Sequence, residues 1–330
     1  MTKNSKGNVS TALVTGGAGF VGSHLVEELV GRGVETFVID NFSTGSIENL
    51  KAVESDGNLH IIHGDVEKSL VSIPKDKKID VVFHEAAIAS VPASIQDPEL
   101  VHNVNVNMTL DLMNYCVRQD INRFVFASSA AVYGVVEGEV KESILCRPAS
   151  PYGAGKLAIE DYLHAYQTSF ALDSVMLRYF NIYGPRQKLG DYSGVITIFI
   201  ENLLNGVAPT ITGDGLQTRD FVNVKDIVQA NILAMDSQNA VGQVLNVASG
   251  KSTTVLRIAE ILKEITGRND LEIQFTQTRV GDVRNGNANI EKIQSVLGYT
   301  PSVPLEKGLV DVVEYLRGNQ STKVAPIIEN

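Results

Sequence analysis

The chain alternates short apolar runs with longer stretches whose apolar positions recur at helical spacing. Ala12-Leu13-Val14 predicts a buried strand, and His24 to Val30 predicts a helix after it. Glu35 to Ile39 predicts a second strand, ending in Asp40. Leu59 to Asp65, Asp80 to His84, Phe124 to Ala127 and Val175 to Arg178 predict four more strands. Val104 to Arg118 and Tyr152 to Tyr166 predict helices between them. Strands of this kind, apolar on both faces and separated by helices, predict right-handed crossovers and an α/β doubly wound parallel sheet. From Gly184-Pro185-Arg186 the pattern loses regularity and Gly and Pro punctuate it more often. This predicts a smaller α/β region built from about 186–220 and 251–318. An amphipathic helix at Val224 to Met235 and a strand at Val244 to Val247 predict that about 221–250 returns to the first domain, otherwise 1–185. Residues 319–330 read as a tail.

Composition narrows the classes. The 330 residues are 44% hydrophobic and 20% charged, enough for a large core. No apolar run reaches the roughly 18 residues that span a bilayer, and Met1 to Ser10 is polar rather than signal-like. Cys116 and Cys146 form no CxxC pair and no disulfide framework, which fits a reduced, cytoplasmic setting without a metal site. A net charge of −10 argues against nucleic acid as a partner.

The first candidate chemistry lies between the first strand and helix: Thr15-Gly16-Gly17-Ala18-Gly19-Phe20-Val21-Gly22. Strand, glycine turn and helix in that order make a Rossmann-type dinucleotide fingerprint. The glycines let backbone approach a pyrophosphate at a helix N-terminus. Asp40, just over twenty residues past the first glycine, can accept hydrogen bonds from the adenosine ribose and would repel a 2′-phosphate. The expected cofactor is therefore NAD.

Three later strand ends carry polar residues. His84 to Pro92 brings small residues that let the chain pass close to a flat ligand, with His84 itself read as a packed residue. Ser129, in Ala127 to Gly134, can meet a substrate hydroxyl or simply cap a turn. Arg178 to Arg186 offers aromatic and amide groups. Tyr152 and Lys156, four residues apart, share one helix face. An ammonium beside a phenol favours the phenolate, so Lys156 is expected to hold the Tyr152 pKa down.

Together these motifs resemble the extended short-chain dehydrogenase/reductases of the NAD-dependent epimerase/dehydratase family. The likeness is greatest to its UDP-glucose and UDP-N-acetylglucosamine 4-epimerases, and runs from about Ala12 to Arg317. It also rests on Gly213 to Phe221 and Arg279 to Arg284. The resemblance implies that Ser129, Tyr152 and Lys156 are catalytic. It implies NAD contacts at Gly16, Gly19, Phe20, Val21, Asp40, Asn41, Ser43, Thr44 and Gly45. Further cofactor contacts are implied at Asp65, Val66, Ala86, Ala87, Asn107, Tyr152, Lys156 and Tyr179. Contacts to a UDP-sugar are implied at Ser90, Ser129, Asn181, Gln187, Val195, Arg219, Arg284 and Gly286. Arginines suit the diphosphate because a guanidinium donates two parallel charge-assisted bonds.

The branch is read from absences. The 4,6-dehydratases carry an Asp-Glu pair where this chain has Ala130 and Ala131, and UDP-glucuronate decarboxylases carry a Glu at the second position. The resemblance then implies 4-epimerisation through a transient 4-keto sugar. Gly286, four positions past Asp282, implies room for a 2-N-acetyl group, as do Gln187 and Ala89-Ser90-Val91-Pro92. The expected substrates are UDP-glucose and UDP-galactose, with UDP-GlcNAc and UDP-GalNAc alongside. A UDP-glucuronate epimerase or decarboxylase, or a non-catalytic NAD-binding regulator, remains open. A homodimer packed through the 101–118 and 158–170 helices is the expected assembly.

Overall fold

The computed structural model describes residues 9–323 except 122, 189–193, 278–283 and 285, and gives 319–323 as backbone alone. The Arg279–Val283 stretch of the sequence motif, including Asp282, lies outside the described residues, as do Met1 to Asn8 and 324–330.

The first half alternates β1 (Thr11–Thr15), α1 (Phe20–Gly31), β2 (Glu35–Asp40), β3 (Leu59–His63), α2 (Val66–Ser69) and β4 (Val81–His84). Then come α3 (Val91–Gln96), α4 (Pro98–His102), α5 (Met108–Arg118), β5 (Arg123–Ser129), β6 (Gly138–Val140), α6 (Pro151–Phe170) and β7 (Asp173–Tyr179). The second half holds β8 (Asn181–Tyr183), α7 (Val195–Leu204), β9 (Thr210–Thr212), β10 (Thr218–Asn223), α8 (Val224–Asp236), β11 (Gln243–Val247) and β12 (Ser252–Thr254). It closes with α9 (Val255–Thr266), β13 (Gln274–Thr276), β14 (Gly286–Ala288), α10 (Glu291–Leu297) and α11 (Leu305–Lys323).

Seven strands form one parallel sheet in the order β11-β7-β5-β4-β1-β2-β3. The direction of winding reverses between β1 and β4, which opens a crevice beyond their C-terminal ends. Helices cover both faces, so the strand interiors are apolar throughout. Leu25 and Leu29 of α1 and Ile227 of α8 fill one face; Leu112 and Met113 of α5 with Ile159 and Leu163 of α6 fill the other. Those last four are completely buried. At about 1.5–3 kcal/mol each, their burial outweighs the roughly 1 kcal/mol that Gly153 and Gly155 each cost the first turns of α6.

A third core joins Phe199 of α7, Ile258 and Leu262 of α9 and Leu309 of α11. Beside it β10 pairs with β8 and β12, and β6 pairs with β14. Ile293 of α10 and Tyr299 pack with the α1–α8 core rather than with this third one. Several boundaries differ from the sequence reading. The third strand stops at His63, the 104–118 helix begins as a π-helical turn at Asn103–Asn107, and α11 continues to Lys323. Among the described residues no helix is long and apolar enough to cross a membrane.

Candidate active site

The site gathers where β1, β4, β5 and β7 end. At β1 the chain turns through Gly16 at φ 71, and a Cβ there would stand 2.7 Å from the Ala86 backbone nitrogen. Only glycine fits this close approach. The first helical turn follows with Gly19 as N-cap, no side-chain cap and no acidic residue. Its unsatisfied N–H groups and positive helix end suit a pyrophosphate. Phe20 and Val21 open that helix.

Asp40 is buried, and its carboxylate accepts the backbone N–H groups of Ala18 (2.9 Å) and Phe42 (2.8 Å). It therefore shapes the glycine turn and the β2 loop as well as facing the expected ribose site. Gly45 presses on it, since a Cβ there would lie 2.9 Å from Asp40 Oδ1. In the same loop Asn41 donates to Asp65 Oδ1 and accepts from the Ser43 N–H, while Ser43 and Thr44 are exposed. Asp65 caps α2 ahead of buried Val66; Asn41 and Lys68 together hold its pKa below the usual carboxylate range.

Ala86 and Ala87 follow β4 against the glycine turn. Asn107 is exposed, and its amide donates to Asn103. Asn105, two residues earlier, is 2% exposed and clamps Ile88 through both its backbone polar groups at 2.8 and 3.0 Å. Asn105 is the residue that fixes this loop, and sequence reasoning missed it; the π-helical turn rotates the face on which each asparagine falls. His84 is a packed histidine: Nε2 donates to Thr109 Oγ1, whose own proton goes to Asn105 O, so Nδ1 accepts from Thr15. Burial pushes its pKa down to about 3 and keeps it neutral.

The catalytic candidates meet across β5 and α6. Ser129 ends β5, directly beside Tyr179 at the end of β7. Pro151 starts α6 after the Ser150 N-cap. A Cβ at Gly153 would lie 2.5 Å from Ala131 O, so its absence lets the helix start press on the β5 loop. That contact brings Tyr152 near enough to Ser129 for the serine to pull the phenol pKa down. Lys156, one turn on, is 3% exposed; its ammonium donates to Ala127 O at 2.7 Å and sits 6.0 Å from the centre of the Tyr152 ring. Behind it Glu160 accepts from Ser128 (2.5 Å) and takes Arg178 through two bonds of 2.9 and 2.6 Å.

The electrostatics differ from the sequence expectation. Burial pushes the Tyr152 phenol up, the Ser129 hydrogen bond pulls it back, and the charge of Glu85 pushes it up again. Lys156 does not lower it, because burial brings the lysine itself down to about 8. Glu85, in the β4 strand end that the sequence marked only for its small residues, reaches Tyr179 Oη at 2.8 Å.

The residues expected on the sugar side lie on several elements. Ser90 is buried as the N-cap of α3. Gln187 accepts from Thr197 at 2.7 Å and so ties the β8 exit to α7, which Val195 opens. The Asn181 amide donates to Asp220 O. A Cβ at Gly286 would stand 3.2 Å from Thr218 O and 3.8 Å from the Arg219 side chain, so 286 and 219 are neighbours. Arg284 is exposed and its guanidinium fork is held by Asp214 at 2.6 and 2.9 Å. It reaches a phosphate only by leaving that partner. Among the described residues no cluster of His, Cys, Asp or Glu has the makings of a metal site.

A doubly wound sheet, a glycine turn at its switch point and a Ser-Tyr-Lys set at its strand ends define a Rossmann-type enzyme of the short-chain dehydrogenase/reductase kind. The profile of the NAD dependent epimerase/dehydratase family matches residues 12–248, and the chain belongs to that family. Its cofactor is NAD, which the glycine turn and Asp40 fit. A putative UDP-glucose 4-epimerase of Methanocaldococcus jannaschii is 35% identical over 94% of this chain and 99% of that one. A UDP-N-acetylglucosamine 4-epimerase of Methanobrevibacter ruminantium, solved with UDP-N-acetylmuramic acid, is 38% identical with a TM-score of 0.88, covering 94% and 99%. A UDP-glucuronic acid 4-epimerase of Bacillus cereus, solved with a fluorinated UDP-glucuronic acid and NAD, is 32% identical with a TM-score of 0.86, also covering 94% and 99%.

Proposed function

We propose that the chain is a NAD-dependent UDP-hexose 4-epimerase for UDP-glucose and UDP-galactose that also accepts UDP-GlcNAc and UDP-GalNAc. The observation that carries this is Lys156 held on Ala127 O beside Tyr152, one turn away on α6, with Ser129 at the end of β5 and only Ala130 and Ala131 where elimination or decarboxylation chemistry uses acids. NAD, when bound, would supply the hydride acceptor and donor that inversion at the sugar C4 requires. Tyr152 Oη, ionised as phenolate, takes the proton of the C4 hydroxyl and gives it back, so one group serves both directions. Ser129 orients that hydroxyl. Lys156, fixed on Ala127 O, would hold the nicotinamide ribose. The α1 N-terminus would hold the pyrophosphate, and Tyr179 would line the nicotinamide side.

On the sugar side Arg219 anchors the diphosphate, joined by Arg284 once it leaves Asp214, and Asn181, Gln187 and Val195 line the approach. The absence of a side chain at Gly286, beside Arg219, supports acceptance of the 2-substituent. A UDP-glucuronate 4-epimerase is the second reading, supported by the likeness to the Bacillus cereus enzyme. Two copies would pair through α5 and α6, on which Tyr162 (44%) and Phe170 (54%) are exposed.

Purified protein without added cofactor is to be assayed on UDP-galactose, UDP-GalNAc and UDP-glucuronic acid. Turnover of the first two is the expected outcome, and activity on the uronate alone selects the second reading. Tyr152→Phe should lower kcat about 10²–10⁴-fold, the usual contribution of a positioned acid–base group, while NAD stays bound. Near-normal turnover in that variant sinks the mechanism.

A further inference from the structure

Positions 130 and 131 are alanines, but a carboxyl from another strand end is held beside Tyr179. Glu85 directly follows β4, and its backbone is packed against the glycine turn: a Cβ at Gly16 would lie 3.0 Å from the Glu85 carbonyl carbon. Its side chain crosses the end of β5 to Tyr179 on β7, where Oε1 accepts the phenol proton at 2.8 Å. The direction of that bond is set from behind. Asn231 of α8 donates to the same Tyr179 oxygen at 2.7 Å, leaving the tyrosine proton for Glu85. Tyr179 is the neighbour of Ser129 in the β5–β7 register, so Glu85 is clamped to the residue beside Ser129 at the strand ends.

We propose that Glu85 is a positioning residue of the active site, a carboxyl clamped by Tyr179 whose charge opposes the phenolate of Tyr152 and supports the ammonium of Lys156. The proposal rests on the reading of Tyr152 as the proton acceptor and adds a second ionisable group to it. The charged and titratable groups around Glu85 are few. Tyr179 faces it from β7, and Tyr152 and Lys156 face it from α6. Lys156 in turn faces Glu160 on its own helix and neutral His84 on β4.

Burial pushes the Glu85 carboxyl up to about 7, against the pull of the Tyr179 bond and Lys156. The group therefore changes charge near neutrality. When Glu85 is ionised, a negative charge disfavours a second one on Tyr152. When it is protonated, that opposition vanishes and the phenol ionises more readily. The protons of Glu85, Tyr152 and Lys156 are thus shared, and the pH response belongs to the set.

Glu85→Gln keeps the shape and the acceptor for Tyr179 and deletes the charge. The test is the phenolate absorbance of the NAD-loaded protein against pH, with the Tyr152→Phe spectrum subtracted to isolate Tyr152. The expected result is a midpoint lower by about one pH unit or more, the usual effect of removing a nearby like charge. The acidic limb of kcat/KM on the active UDP-sugar should move the same way. Glu85→Asp, which restores the charge, should bring the midpoint back toward wild type. An unmoved or raised midpoint in Glu85→Gln overturns the proposal, even if stability or kcat falls.

The spectroscopic titration needs no sugar turnover, so an inactive protein with a shifted midpoint would refute the substrate reading and leave Glu85 in place. If Glu85→Gln does not fold, Glu85→Ala gives the second measurement. It also deletes the charge, so its midpoint should fall as well; no shift there also overturns the proposal.

Discussion

Position 286 sets how much room lies beside Arg219, because a Cβ there already comes within 3.8 Å of the arginine side chain and 3.2 Å of Thr218 O. Gly286→Tyr should fill that space. Turnover of UDP-GalNAc should fall at least about tenfold relative to UDP-galactose, the order of discrimination a filled apolar pocket supplies. Competing the two sugars against each other reads the ratio, and an unchanged ratio removes Gly286 from specificity. The residues legible in the sequence share one property: their signal is local. The glycine turn needs its own strand and helix, and Tyr152–Lys156 needs one helical turn. Glu85 and Asn105 had no such signal. Glu85 matters because β4, β5 and β7 are neighbours, and Asn105 because a π-helical turn carries it rather than Asn107 inward. The expected lowering of the Tyr152 pKa failed for a related reason: spacing reports that two groups are near, but burial decides what their charges do.

Helix α6 carries Tyr152 and is fastened to the sheet by Glu160, which is 2% exposed and holds Arg178 of β7 and Ser128 of β5. Removing one partner of such a buried pair leaves an uncompensated charge. Glu160→Gln should cost about 3–5 kcal/mol of stability, read as a fall in the denaturant midpoint. A change under about 1 kcal/mol would mean that Arg178 finds water or another acceptor. The strands of the large sheet were legible because they run five or more residues with both faces buried, or end in a clear polar residue. Strands β6, β8, β9, β12, β13 and β14 have three residues each, too few for any period to show. Their existence depends on partners from distant parts of the chain, as with Gly286–Gly138 across β14 and β6.

The whole molecule is joined at that small pairing. β6 lies in the chain between Ser129 and Tyr152, and β14 carries Gly286. Asn246 of the large sheet donates to both Val140 O and Asn289 O, and Asn289 donates its backbone N–H to Val140 O, so the junction is knotted to β11 as well. The strand that carries Gly286 and the segment between Ser129 and Tyr152 therefore share hydrogen bonds, and rigidity between the two halves is the expected outcome. Small-angle scattering with and without a UDP-sugar should show the same radius of gyration; a contraction of more than about 1 Å would reveal the hinge closure common in two-lobed enzymes. For a reaction that must offer both faces of one carbon to a single donor, such rigidity assigns the motion. The box stays still, and the guest has to turn around inside it.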